Sequence, residues 1–158
     1  MALTALAGIS ERRIDRLVNP ALNEELPPFL AGRPGLESGL MMAQVTAAAL
    51  VAENRVFSHP ASSGSITTSG NKEDFVSMGM TSALKYKTVV RNTRAVLAIE
   101  ALSASRALDL LRPLKSSLAI ERVRERVRAV SAPLDGDRAL HHDISALEKL
   151  LASGGLRR

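Results

Sequence analysis

Residues 72–112 read KEDFVSMGMTSALKYKTVVRNTRAVLAIEALSASRALDLLR and contain no proline. Their helical pattern predicts one very long helix, which ends at Arg112-Pro113 because a residue before proline disfavours helical geometry. At 1.5 Å per residue the helix would be about 55–60 Å long, with Gly79 as its one weak point. A globular chain of this length has a radius of about 15 Å. The helix therefore needs partners beyond this chain to cover it.

A polar loop, HPASSGSITTSG, precedes this helix at residues 59–70. The loop ends at Asn71, a favourable N-cap, so that Glu73 and Asp74 would lie in the first helical turn. The simplest interpretation of Glu73 is a carboxylate that stabilises the helix dipole by about 0.5 kcal/mol. The alternative is an active-site carboxylate that binds a substrate ring or relays a proton.

The rest of the chain also follows helical rather than strand periodicity. Residues 3–18 and 40–55 predict two helices joined by a loop with Pro27-Pro28, Gly32, Pro34 and Gly35. Shorter helices are expected at 117–130 and 143–151. We therefore predict an all-α fold: an elongated helical bundle fragment with one very long central helix. Its parts are two helices with a Pro/Gly loop (1–55), an active-site loop (56–71), the long helix (72–112) and C-terminal helices (113–158).

Composition excludes several classes of function. The apolar content of 46% is mainly Ala, Leu and Val, which favours packed helices, and the absence of cysteine excludes disulfides and thiol chemistry. No secretory leader is evident and no apolar stretch approaches the roughly 18 residues that span a bilayer. We expect a cytoplasmic protein without membrane contact.

The net charge of +5 comes entirely from residues 91–158, where four arginines alternate with other residues at positions 122–128. Their spacing of two spreads them around a helix, and no aromatic side chain interleaves to stack on bases. Glu121 and Glu125 are expected to pair with Arg124 and Arg128 three residues further on. We therefore predict no nucleic-acid partner.

A metal site is also not expected. His141 and His142 are adjacent and should point apart on a helix, whereas metal sites need three or four converging ligands. Asp143 is more simply explained as the N-cap of the last helix.

Several motifs in order resemble the histidine ammonia-lyase (histidase) family, and together they cover nearly the whole chain. They are ISERR (9–13), LPPFL (26–30), SGLMMAQVTAAAL (38–50), EN (53–54), HPAS (59–62), TSGNKEDFVSMG (68–79), ALDL (107–110), DR (137–138) and DI (143–144). The resemblance implies that the chain is the C-terminal third of an enzyme that eliminates ammonia from L-histidine to give urocanate. It also implies a homotetramer whose active sites draw residues from more than one subunit.

The same resemblance implies roles for two residues. Glu73 occupies the position of the active-site glutamate in the family's QED motif, and Met41 would line the substrate pocket beside it. Phe75 stands where histidases usually carry His, and the sequence EDFVSMG is also seen in related tyrosine lyases and aminomutases. A tyrosine or phenylalanine ammonia-lyase or aminomutase is therefore one alternative, and a non-catalytic helical assembly module is another.

The family's electrophile is a methylidene-imidazolone group, formed by cyclisation of an internal Ala-Ser-Gly. This chain has one such tripeptide, Ala152-Ser153-Gly154. It closes the last predicted helix, where small residues serve as a C-cap, so it is not the precursor. The family's catalytic tyrosine also lies upstream of the matched motifs, and Tyr86 falls inside the long helix. We therefore expect the isolated chain to be incomplete and inactive.

Overall fold

Five α-helices form the regular structure of residues 1–156, which the computed structural model describes. No strand occurs in this part of the chain, where extended pairing is limited to isolated bridges. The all-α prediction is confirmed. The helices are α1 (Ala2–Val18), α2 (Met41–Phe57), α3 (Gly79–Leu110), α4 (Leu118–Val130) and α5 (His141–Ala152).

The core surrounds the C-terminal two-thirds of α3. Helices α1, α2 and α5 pack on α3, and α4 covers its C-terminal end. The buried positions of α3 recur at intervals of three or four residues, as on one face of a helix; they include Val89, Asn92, Val96, Ile99 and Leu102. The partner helices contribute side chains such as Ile14 and Leu147, which are fully buried.

The predicted start of the long helix at Lys72 is wrong. The backbones of Thr68 and Glu73 form an antiparallel bridge, and Asn71 adopts φ of +68°, so neither Asn71 nor Glu73 belongs to an α-helix. Helix α3 begins instead at Gly79 and is about 48 Å long. The physical reason is that local polar pairing within the loop competes successfully with the first turns of a helix.

Apolar side chains remain uncovered on several helices, α2 and α3 among them. The first turns of α3 carry Met80 and Leu84, exposed to 75% and 59%, and the outer face of α2 carries Met42 and Val56, exposed to 61% and 72%. Contiguous apolar surface of this kind marks an interface in soluble proteins. The expectation that the long helix needs partners beyond this chain stays a prediction.

The expected pairs on α4 are also wrong. Arg124 and Arg128 both form ion pairs with Asp109 of α3, while Glu121 pairs with Arg112. The side chains of Arg124, Arg128 and Asp109 are only 11–20% exposed. The attraction between their charges is therefore screened less than it would be at the surface, which favours these pairs. Two of the four clustered arginines thus attach α4 to α3.

Asp143 lies in the first turn of α5 and is not its N-cap, because the helix begins two residues earlier than predicted. Its carboxylate accepts hydrogen bonds from Ser131 Oγ at 2.6 Å and from Arg138 Nη2 at 2.9 Å. Burial raises the pKa of Asp143, but these hydrogen bonds and the charge of Arg138 together hold it below its ordinary value. The carboxylate therefore ties the 131–140 turn to α5.

This lowered pKa predicts a pH-dependent contribution to stability. The contribution is complete above the pKa of an unfolded aspartate, about 3.9, and is lost as the pH falls through the lower value of the folded state. We expect Asp143→Asn to reduce the free energy of unfolding by about 1.5–3 kcal/mol at neutral pH. In urea titrations the difference from the parent chain should shrink below about pH 4, whereas Asp135→Asn should change little at any pH. A difference that is constant with pH would contradict this role.

Candidate active site

The loop between α2 and α3, residues 58–78, is held by bonds within itself and to α3. Ser65 Oγ accepts a hydrogen bond from the Val76 amide at 2.9 Å, and Lys85 of α3 donates through Nζ to the His59 carbonyl. Short 3₁₀ turns at Ser62–Gly64 and Ser69–Asn71 fold the polar segment back on itself. The loop thus has a defined shape although most of its side chains are exposed.

Glu73 lies on this loop, exposed and well before the first residue of α3. Its backbone pairs with Thr68, whose Oγ1 donates to Glu73 Oε2 at 3.4 Å. An ionised carboxylate can accept about four hydrogen bonds, so most of this capacity is free. Because the dipole effect falls off within the first turn of a helix, the explanation of Glu73 as a dipole-stabilising carboxylate is wrong. The active-site interpretation stays a prediction.

Met41 is the first residue of α2 and is partly buried. The loop that carries Glu73 leaves α2 after Phe57, about 24 Å further along the helix axis. A cavity of about 410 Å³ beside the start of this loop is lined by His59, Lys85 and Tyr86 among others, and by neither Met41 nor Glu73. Helix α2 itself therefore does not bring the two predicted site residues together.

The turn before Met41 is held by a residue from the far end of the chain. Asp137 accepts the Ser38 amide through Oδ2 at 2.8 Å and the Gly39 amide through Oδ1 at 2.9 Å. Gly39 has φ of +54°, and a Cβ there would lie 2.5 Å from the Phe29 carbonyl oxygen, so only glycine fits. Sequence reasoning noted Asp137 only as part of a matched motif and missed this contact.

The backbone beside this turn is strained. Phe29 and Leu30 have φ of +55° and +54°, a left-handed conformation that costs a non-glycine residue about 1–3 kcal/mol. The complete burial of Leu30 and the bond from the Leu40 amide to the Phe29 carbonyl, 2.9 Å, hold them there. Such strain clusters at functional sites. Here the strained residues lie next to Leu40, the residue before Met41.

The Ala152-Ser153-Gly154 tripeptide does not fit a precursor of the imidazolone electrophile. Ser153 Oγ donates to the Leu150 carbonyl at 2.9 Å, and the Gly154 amide donates to the Leu151 carbonyl at 3.1 Å. Gly154 has φ of +74°, the left-handed geometry of a helix C-terminus. The predicted C-cap role of these residues is confirmed, and the nitrogen that cyclisation would use is part of the cap.

Tyr86 lies within α3, as predicted, and is 63% exposed.

The imidazole rings of His141 and His142 do not point apart as expected: their centroids are 3.8 Å from each other. At the first two positions of a helix no preceding turn confines the side chains. Within residues 1–156 no three His, Asp or Glu side chains converge as metal ligands, and no helix there has the length and apolar character needed to cross a membrane.

A family model and individual known proteins point to the same family for this chain. The family model for aromatic amino acid lyases matches residues 1–129. The histidine ammonia-lyase of Koribacter versatilis is 64% identical over 99% of this chain, and that of Anaeromyxobacter sp. is 54% identical over the same share. The chain spans about 30% of the length of these relatives.

Solved structures show the same fold. The crystal structure of histidine ammonia-lyase from Trypanosoma cruzi matches with a TM-score of 0.93 at 51% identity, over 97% of this chain and 30% of that one. Tyrosine aminomutase from Streptomyces globisporus matches with a TM-score of 0.94 at 40% identity, over 99% of this chain and 30% of that one.

The helical bundle and its polar loop are therefore those of the all-helical lyases and aminomutases that act on carbon–nitrogen bonds. The chain belongs to the aromatic amino acid lyase family.

Proposed function

We propose that this chain forms part of an ammonia-lyase that converts L-histidine to urocanate. The observation that carries the proposal is the Glu73 carboxylate, which the loop presents to solvent with most of its hydrogen-bonding capacity free. The 64% identity to a histidine ammonia-lyase supports histidine as the substrate. In the reaction the bond from Cα to the amino nitrogen breaks, a base removes a proton from Cβ, and ammonia leaves.

Glu73 and Met41 have different parts in this proposal, and they would reach one substrate from different subunits of the homotetramer, since α2 does not bring them together. A carboxylate at position 73 would accept an N–H of the substrate imidazole or assist proton transfer. The flexible, polarisable Met41 side chain would pack against the substrate. The electrophilic group would come from a polypeptide segment outside these 158 residues, since the tripeptide present does not fit it.

A second enzymatic function is favoured by Phe75. This side chain is 78% exposed two residues after Glu73, where an apolar ring would suit a phenol or phenyl substrate better than an imidazole. The similarity to a tyrosine aminomutase at 40% identity supports this alternative. A tyrosine or phenylalanine lyase or aminomutase is therefore the second candidate, below histidase because its identity to this chain is lower.

The uncovered apolar faces of α2 and α3 support assembly as part of the function. Burial of Met42, Val56, Met80 and Leu84 would come from further copies of the chain, in a homotetramer, or from an upstream part of the enzyme. The same faces would serve a non-catalytic assembly module, the third candidate. We propose a cytoplasmic protein with an amino-acid substrate and without nucleic-acid or membrane partners.

The substrate is tested by product absorbance in an enzyme in which this chain replaces the matching 30% of the Koribacter versatilis relative. With L-histidine we expect an increase in urocanate absorbance, and with L-tyrosine at least about tenfold lower kcat/KM, since the site would bind the imidazole N–H. Phe75→His should leave histidine turnover the same or higher. A preference for tyrosine that Phe75→His abolishes would favour the second candidate.

A further inference from the structure

The peptide unit between Ser38 and Gly39 is held from both sides. Its N–H donates to Asp137 Oδ1 at 2.9 Å, and its carbonyl accepts the Met41 amide at 3.1 Å. A rotation of this peptide would therefore break a bond to Asp137 and a bond to Met41 together. Asp137 is connected to the backbone of Met41 through one rigid planar group.

Every amide from residue 38 to residue 41 has a partner. Ser38 and Gly39 donate to the two oxygens of Asp137, Leu40 donates to the Phe29 carbonyl, and Met41 donates to the Ser38 carbonyl. The first amide of α2 that bonds within the helix is that of Gln44, to Leu40. Two of the four amides at the entry into the helix thus bind one carboxylate, which is 98 residues away from Gly39 in sequence.

Asp137 is itself held in place by its neighbour. Arg138 donates to the Pro133 carbonyl at 2.8 Å and the Ala132 carbonyl at 2.7 Å, and it forms an ion pair with Asp143 of α5 at 2.9 Å. The turn that carries Asp137 is therefore fixed to α5 independently of α2. Because its own turn is fixed, the Asp137 carboxylate can determine the position of the Ser38–Gly39 turn that it binds.

The core holds α2 through Leu40, the buried residue just before the helix, and through one face of the helix itself. The buried face of the helix is formed by Ala43, Ala47, Val51 and Asn54, all C-terminal to Met41. Loss of Asp137, an exposed residue, would leave this packing intact. Its effect should be confined to the strained turn and to the first residue of the helix.

We propose that Asp137 is a positioning residue for the substrate pocket: its carboxylate fixes the Ser38–Gly39 turn and thereby the direction in which α2 presents Met41. The inference rests on the proposed function, in which Met41 contacts the substrate. Displacement of a substrate-contacting group by about 1 Å can cost up to 10²-fold in rate, so a contact outside the pocket can matter to catalysis.

The first test measures amide hydrogen exchange in the 158-residue chain itself. Asp137→Asn keeps the size of the side chain but replaces one acceptor oxygen by an NH2 group, which cannot accept. In the observed geometry each amide faces a different oxygen, so the amide that faces the NH2 group loses its bond. We expect exchange to become at least about tenfold faster at Ser38 or at Gly39, whichever amide faces the NH2 group. Asp135→Asn, the same change two residues away on the same turn, should leave both rates unchanged. Unchanged rates in Asp137→Asn would overturn the proposal.

The second test is a double-mutant cycle in the active chimeric enzyme that contains this segment. Asp137→Asn and Met41→Ala should each raise KM for histidine by about tenfold, and the double variant should be close to Met41→Ala alone, because coupled residues are not additive. The melting temperature should fall by less than about 4 °C in Asp137→Asn.

The outcomes of the cycle separate this inference from the proposed function. If Met41→Ala alters KM but Asp137→Asn does not, or if the two effects multiply, Asp137 does not act through Met41. If Met41→Ala has no effect, the pocket role of Met41 in the proposed function is wrong, and the inference fails with it. Rescue of KM by Asp137→Glu, which restores two acceptor oxygens, would support the positioning role.

Discussion

The 158-residue chain on its own is expected to release no detectable ammonia from L-histidine. The physical reason is that covalent catalysis requires the electrophile, and the one Ala-Ser-Gly in the chain is engaged as the C-cap of α5. Without that catalyst only binding and positioning remain, so the rate should be lower than that of a complete lyase by at least about 10⁶-fold. The measurement is urocanate absorbance after prolonged incubation of the purified chain at micromolar concentration.

A complete histidine ammonia-lyase, such as the relative from Koribacter versatilis, is the positive control under the same conditions. The Ser153→Ala variant tests whether the Ala152-Ser153-Gly154 tripeptide forms the electrophile, because it removes the serine of the one Ala-Ser-Gly in the sequence. If the parent chain turns histidine over and Ser153→Ala abolishes it, this tripeptide is a precursor after all. In that case the assignment of its residues to the helix cap would be wrong.

Glu73→Ala is expected to lower kcat for histidine by about 10²–10⁴-fold in the chimeric enzyme. The structure makes this prediction sharper than the sequence did. As a dipole-stabilising residue Glu73 would contribute only about 0.3–1 kcal/mol to stability, and the late start of α3 removes that explanation. Loss of the weak bond from Thr68 Oγ1 would likewise leave the melting temperature almost unchanged.

Glu73→Gln separates the two chemical roles of the carboxylate. The amide keeps the shape and one acceptor oxygen but has neither charge nor the capacity to carry a proton. A strong loss of kcat in Glu73→Gln would assign acid–base chemistry to this residue, whereas turnover within a few-fold of the parent would leave only hydrogen bonding. Asp74→Asn is the matched control, since Asp74 is an adjacent exposed carboxylate on the same loop. An equal loss in Asp74→Asn would show that the loop charge, rather than Glu73, is responsible.

The helices could be predicted from the sequence because their signals are local. Proline at 113 and glycine at 154 end helices wherever the rest of the chain lies, and the apolar spacing of α1, α2 and α4 is readable within a few turns. The boundary with the largest error, the start of α3, depends on pairing between Thr68 and Glu73, which competes with the helix over a short distance. The helix propensities of residues 72–78 do not reveal that such a bridge forms.

The position of Glu73 as a candidate site residue came from the resemblance to a family, and the structure adds its exposure and its loop setting. The contact between Asp137 and the turn before Met41 could not be predicted, because it joins residues nearly a hundred positions apart. The same holds for the ion pairs of Arg124 and Arg128 with Asp109. Both arginines had an expected partner three residues away in sequence and pair instead with a residue of another helix.

The sequence by itself determined the all-α class, the order of the helices and the family, since these depend on periodicity, chain-breaking residues and ordered motifs. Only the tertiary structure decided where α3 begins, which carboxylate holds the entry to α2, and which apolar faces stay uncovered. The reason is that the first two features are settled by competition between partners for the same backbone amide, and the third by which helix faces the packing covers. That competition is resolved only when distant segments are packed together.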